Sequence, residues 1–264
     1  MKGGTPQGVI SSSNRSFRLA RAIVDPAGIR EFGAFLVEGR RFVSEVLTRD
    51  PSLVMELLVS EGFQQAGLPA FGGRTSLVPD RLFPRIADTR NSQGIVAICR
   101  LPADDAAARL PVRGPCLVPV LDGVSDPGNA GTLIRTAAAF GCGAVVLTSG
   151  SCEAFSPKVT RASAGANVFL PLVQRVGPEE AAALLRPLGF EFVAAEAGGR
   201  PLPEEPPGGR VALVIGSEAN GISPAMRAIC RRGISIPMPG GMESLNAAVA
   251  GAIAMFWMSR KAER

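Results

Sequence analysis

Five polar side chains stand at three glycine-containing turns in the second half of the chain. Asn129 and Arg135 belong to the first (121–135, LDGVSDPGNAGTLIR), Glu218 to the second (216–221, GSEANG), and Ser244 and Asn246 flank Leu245 after the third (237–241, PMPGG). An amide, a guanidinium, a carboxylate and a hydroxyl can orient a sugar or phosphate and accept a proton. They do not make an activated nucleophile, because the chain contains no His and no Tyr. That composition removes a Ser-His-Asp triad, a Cys-His pair, a His general base and a His-ligated metal. The five Cys at 99, 116, 142, 152 and 230 are odd in number and form no CxxC, so neither a disulfide framework nor a zinc site is expected, and no metal is assigned. Reduced thiols fit a cytoplasmic protein.

The turns need elements to hold them. Strands are expected near 117–121, 144–148, 190–195, 211–215 and 234–236, and helices near 131–140, 178–187, 224–231 and 245–259. Such alternation implies a parallel sheet covered on both faces, with ligands at the carboxyl ends of the strands. All three turns leave such ends. Neither GxGxxG nor GxxxxGK[ST] occurs, so a dinucleotide fold and a P-loop are both unsupported. Arg135 is placed one turn into its helix. Ser at a helix start usually caps it, and capping accounts for only one of Ser244 and Asn246. The final helix, 245–259, is apolar on every face and must be buried on more than one side.

The front of the chain reads as a smaller α/β unit. Residues 1–14 form a polar tail. A strand is expected over 35–39, a helix over 40–48, a strand over 53–59, a short helix over 79–86, a polar loop over 88–94 and a strand over 95–99. Residues 101–115, rich in Pro, Ala and Arg, read as a linker before a second domain, 116–264. Net charge is +5, and most of it lies in the front part, a modest footprint of nucleic-acid binding. Of the 28 basic residues 25 are Arg, whose planar fork suits phosphate. Candidate nucleic-acid contacts are Arg15, Arg18, Arg40, Arg41, Arg90 and Arg135. No apolar run is long enough to span a bilayer.

Together, in this order and spacing, the motifs DPGNAGTLIRTAAAFG, LVIGSEANGIS and IPMPGGMESLNAAVAGAI resemble the SpoU/TrmH family of RNA ribose 2′-O-methyltransferases. SPKVTRASAGA looks like the family's intermediate segment. FLVEGRRFVSEVL and DTRNSQGIVAI resemble its substrate-binding front domain, of ribosomal protein L30e type, here 15–100. The resemblance implies S-adenosylmethionine as methyl donor, a deep trefoil knot in the α/β domain, and a homodimer through the C-terminal domain. It implies that Gly216, Ser217, Ile236, Met238 and Leu245 hold the adenosine, and that Asn129, Arg135, Glu218, Ser244 and Asn246 form the catalytic mouth. Arg135 is expected to clamp a phosphate, since a guanidinium keeps its proton in proteins. The expected substrate is 23S ribosomal RNA. The alternatives are a tRNA 2′-O-methyltransferase, a base methyltransferase of the same superfamily, and an inactive RNA-binding protein of the same fold.

Overall fold

The computed structural model describes residues 8–64, 66–102, 108–110, 114–202 and 209–260. The chain falls into two compact units, one comprising 1–102 with 155–168 and the other 103–154 with 169–264.

The first unit begins with helices α1 (Arg15–Ala22) and α2 (Pro26–Phe32). Strand β1 (Ala34–Glu38), helix α3 (Arg40–Arg49) and strands β2 (Val54–Ser60), β3 (Arg74–Val78) and β4 (Ile95–Arg100) follow. The sheet order is β1-β4-β2-β3, antiparallel except for the β2–β3 pair. β4 reads IVAIC with every one of these side chains buried, as expected of a strand with neighbours on both sides. Sequence patterning places β1, α3, β2 and β4 within one or two residues. The helix expected at 79–86 is only a single 3-10 turn, Phe83–Arg85; Pro84, inside that span, lacks the N–H a longer helix needs. The tail expected through residue 14 is corrected from Gly8 onward. The Ile10 amide donates to the Leu77 carbonyl (2.8 Å), and Ile10 is buried against β3. Residues 1–7 of that tail lie outside the described residues.

In the second unit a six-stranded sheet runs β10-β8-β9-β5-β6-β7, all pairs parallel. Its strands are β5 (Cys116–Asp122), β6 (Val145–Thr148), β7 (Leu172–Val176), β8 (Glu191–Pro201), β9 (Arg210–Gly216) and β10 (Arg232–Ser235). Between them lie α4 (Pro127–Ala139), α5 (Pro157–Ala162), α6 (Ala166–Phe169), α7 (Pro178–Leu185) and α8 (Pro224–Ile229), and α9 (Ala247–Ser259) closes the chain. α5 groups with the first unit. β5 and β9 are the central strands; β9 is VALVI, buried throughout, as a strand covered on both faces must be. β7 was not anticipated: its LVQRV mixes a Gln and an Arg into an edge strand and carries no strong pattern. Of the expected linker, residues 103–107 and 111–113 lie outside the described residues, whereas Leu110 is buried in the core of the second unit.

α9 packs closely against α4 and β9 on one side. A Cβ added at Gly251 would lie 2.4 Å from Leu133 Cδ2 and 2.8 Å from Ile215 Cδ1, so the bare glycine lets α9 press onto α4 and β9. Met255 and Ala254 are buried beside it. Within one chain α9 is covered by α4 and β9 but not all round. Val249 (48% exposed), Ile253 (38%) and Phe256 (55%) form an open apolar stripe at helical spacing.

Candidate active site

The three turns meet above the carboxyl ends of β5, β9 and β10. Each is shaped by a local rule. β9 ends at Gly216 because the chain then doubles back: a Cβ there would lie 2.1 Å from the carbonyl carbon of Gly221. Ser217 and Gly221 exchange two backbone hydrogen bonds, 3.1 and 2.9 Å, and Gly221 takes φ +64°. The turn lifts Glu218 to its exposed tip. At the end of β5, Asp126 caps α4 by accepting the Asn129 N–H at 2.8 Å. α4 starts at Pro127 rather than 131, since Pro is suited to a first helical position. Asn129 therefore sits in the first turn, and Arg135 is more than two turns along rather than one.

Asp122 joins the ends of three elements and was missed as a sequence candidate. It is buried, accepts the Thr148 hydroxyl at 3.0 Å on Oδ1 and the Ser223 amide at 2.6 Å on Oδ2. The available signal was a carboxylate closing an otherwise apolar strand, a placement that requires partners.

Asn246 is the N-cap of α9, in place of the neighbouring Ser244. Its Oδ1 accepts the Ala248 N–H (3.0 Å) and the Val249 N–H (3.2 Å). The carbonyl is thereby turned toward the helix, and the NH₂ must face outward. That NH₂ donates to Asn129 Oδ1 at 3.1 Å and to Glu218 Oε1. One amide thus ties all three turns together with its full hydrogen-bonding capacity. Asn129 has its carbonyl oxygen committed in this way, so its own NH₂ is left to face outward.

Two cavities border this knot of side chains. The first, about 440 Å³, is lined by Ile215, Gly216, Ser217, Ile222, Ile234, Ile236, Met238, Leu245 and Ala250, with Glu218, Ser244 and Asn246 also on its wall. Its size is that of a small-molecule site, apolar with a few polar groups. β10 stops at Ser235, so Ile236 lies past the strand end. The amides of Ile236, Met238 and Leu245 find no backbone partner among the described residues. A heterocycle slotted between the aliphatic side chains would meet those amides, so the residues present fit an adenosine moiety. The second cavity, about 540 Å³, lies across the wall formed by Ser217, Glu218 and Gly221, and is lined by Asp122, Ser125, Asp126, Asn129, Ser149 and Asn220 among others.

Sequence comparison decides the family. The profile of the SpoU rRNA Methylase family matches residues 117–256, more than half the chain, and that of RNA 2′-O ribose methyltransferase substrate binding matches 36–104. The chain belongs to the SpoU/TrmH family of RNA methyltransferases. It is 33% identical over 222 residues to the 23S rRNA (guanosine(2553)-2′-O)-methyltransferase RlmP of Bacillus subtilis, covering 84% of this chain and 87% of that one. Among solved structures, an AdoMet-bound rRNA methyltransferase from Sinorhizobium meliloti superposes with TM-score 0.83 at 26% identity, covering 99% of this chain and 100% of that chain. The SpoU methyltransferase AviRb of Streptomyces viridochromogenes, also bound to AdoMet, gives 0.81 at 28% identity over 94% and 98%.

All five residues expected around the adenosine of this SpoU-family protein line the first cavity. Of the five expected at the mouth, Asn129, Glu218, Ser244 and Asn246 gather at one place. Arg135 does not: it is exposed on α4, lines neither cavity, and makes no ion pair among the described residues. In the first unit Arg15, Arg18, Arg41 and Arg90 are exposed. Arg40 is half-buried, donates to the Gln64 and Ala66 carbonyls and lies 4.9 Å over the Phe63 ring, so its guanidinium is already engaged by protein groups.

The thiols take no part in this arrangement. Burial pushes Cys99 and Cys142 up to about 12 and Cys152 and Cys230 up to about 11, and raises Cys116 as well. All five are therefore neutral thiols at pH 7 and poor nucleophiles. Among the described residues no group of three or more His, Cys, Asp or Glu is arranged to hold a metal ion, and no helix is long and apolar enough to cross a membrane.

Proposed function

We infer that the protein transfers a methyl group from S-adenosylmethionine to a ribose 2′-hydroxyl of RNA, with ribosomal RNA the substrate. The observation that carries this is the single amide of Asn246 joining Asn129 and Glu218 on the lip of an apolar, adenosine-sized cavity. Family membership supports the same reading, and so does the 23S rRNA specificity of the Bacillus subtilis relative.

The donor supplies an electrophilic methyl on a sulfonium, so no metal is needed. The protein's contribution is positioning. Ile236, Met238 and Leu245 would hold the adenosine through side chains and backbone amides, while Gly216 and Ser217 would close its side. Asn129, with its carbonyl committed to Asn246, offers its NH₂ to the ribose. Glu218 and Ser244 complete the polar rim. Arg135, exposed on α4 outside both cavities and without an ion pair among the described residues, is proposed to reach the RNA phosphate next to the target ribose, and the hydroxyl proton leaves to a phosphate oxygen or to water. The front domain (15–100) supplies RNA affinity and the second (116–264, after a linker over 101–115) the chemistry. Arg15, Arg18, Arg41 and Arg90 are the proposed RNA contacts; Arg40 drops out of that set, because Gln64, Ala66 and Phe63 already engage its guanidinium. The deep trefoil knot belongs to this proposal, supported by membership of the SpoU/TrmH family. So does residence in the cytoplasm, which suits five unpaired thiols.

Incubation with labelled S-adenosylmethionine and ribosomal RNA, in excess chelator, tests the activity. Label should appear in nucleotides whose 3′ phosphodiester resists alkali, because a methylated 2′-oxygen cannot attack it. Label on a base would refute the ribose assignment. RNA bound but never labelled would favour the non-catalytic reading.

The stripe Val249, Ile253 and Phe256 is proposed as the homodimer surface, extended by Phe140, whose ring lies 5.6 Å from that of Phe256. A row of large apolar groups left open on a terminal helix marks an interface. Light scattering should give twice the chain mass of 27.4 kDa. Ile253→Asp with Phe256→Asp should yield a monomer, since each charge would have to be buried unpaired. A double variant that remains dimeric would place the interface elsewhere.

A further inference from the structure

A separate cavity of about 280 Å³ opens on the first unit, bounded by β1, the start of α3, the 88–94 loop and α5. Leu36, Phe42 and Pro157 form its apolar floor; Arg41, Asn91, Gln93 and Arg161 stand on its rim. The loop is fixed from within. Glu38 accepts the amides of Asp88 (2.7 Å) and Thr89 (3.3 Å) and the Thr89 hydroxyl. Gly94 takes φ +74°, with room for a Cβ denied by Ser60 Oγ at 2.4 Å. The carbonyl oxygen of Gln93 accepts the Arg40 N–H at 2.7 Å. Its NH₂ is thereby turned away from α3, with no protein acceptor among the described residues. Asn91 and Arg41 are exposed and likewise have no polar partner among the described residues. Arg161 pairs with Asp88 yet keeps 49% of its side chain exposed.

We propose that this cavity takes one unpaired nucleobase of the RNA substrate, from a nucleotide other than the one methylated. The floor offers an aromatic ring and aliphatic surface for a planar heterocycle to stack on. The two rim amides offer donors and acceptors to its edge, as single-stranded RNA readers do. Arg41 and Arg161 stand where the flanking phosphates would be held, contacts that position but do not specify. A base inside a duplex cannot enter, because its faces are stacked and its edge is paired. The proposal rests on RNA being the substrate and adds that the recognised RNA is unpaired at this point.

The test uses the full chain with short labelled ribo-oligonucleotides of A, C, G or U and a short RNA duplex, titrated without methyl donor. The wild-type protein should bind the four single strands unequally and the duplex more weakly. Asn91→Ala should narrow the spread among bases by about tenfold, the value of a good edge contact. Arg41→Gln should weaken all four about equally and lower the salt slope by about one. Unchanged thermal unfolding and circular dichroism of the full chain would show both variants folded. A spread untouched by Asn91→Ala, or duplex bound as tightly as single strands, would overturn the proposal. Failure of the methyl-transfer reading would show instead as a wild-type protein that binds no donor or labels no RNA.

Discussion

Asn246→Asp is expected to remove nearly all turnover while leaving the helix cap in place. An Asp oxygen can still accept the Ala248 and Val249 amides, and Asp is as good an N-cap as Asn. The other half of the side chain changes from two donors to an acceptor facing the carbonyl of Asn129 and the carboxylate of Glu218. The three turns lose their tie, and Glu218 meets a like charge. Turnover should fall by about 10²- to 10³-fold, the cost of losing a preorganised polar group at a reacting centre. Asn246→Ala should lose as much activity and, in addition, about 1 kcal/mol of stability from the missing cap. Thermal melts set against methyl transfer separate the two effects. Near-wild-type turnover in the Asp variant would mean that Asn246 is only a cap.

Arg135→Ala should be comparably damaging. A clamp acts through charge and fork geometry, so Arg135→Lys keeps a cation but loses bidentate phosphate binding. Turnover of the Lys variant should fall by about 10²-fold, with Ala substantially lower. S-adenosylmethionine affinity should stay close to wild type in both, because Arg135 lies off the 440 Å³ cavity. If Arg135 were instead the general base, the Lys variant would show a rate rising through a new alkaline pKa, since an ammonium gives up its proton more readily than a guanidinium. The clamp predicts no such inflection. Lys and Ala variants equally dead despite full cofactor binding would remove the support for a clamp.

The residue order alone carried a large share of this picture. The alternation of apolar runs with amphipathic segments gave the parallel sheet, because a strand covered on both faces must be apolar along its length, as β5 and β9 are. Gly216 at the end of an apolar run, with Gly221 five residues on, marked a tight turn. The absence of His and Tyr removed whole classes of chemistry, and the three motifs in their order pointed to one family. Other features depended on distant groups. Asn246 rather than Ser244 caps α9 because it directly precedes Ala247; what its NH₂ then meets, Asn129 and Glu218, lies 117 and 28 residues away. Asp122 became visible only through Thr148 and Ser223, 26 and 101 residues distant. α5 packs with the first unit although it lies between strands of the second, and the nucleobase cavity exists only because of that pairing. α9 looked the same on every face in sequence, and folding made its faces different: Gly251 and Met255 are buried, while Val249, Ile253 and Phe256 are left open. Local spacing determines which elements form and where they turn, because those preferences act over a few residues. Which polar groups share hydrogen bonds, and which apolar face is left over, depends on segments far apart in the chain, so only the tertiary structure decided them.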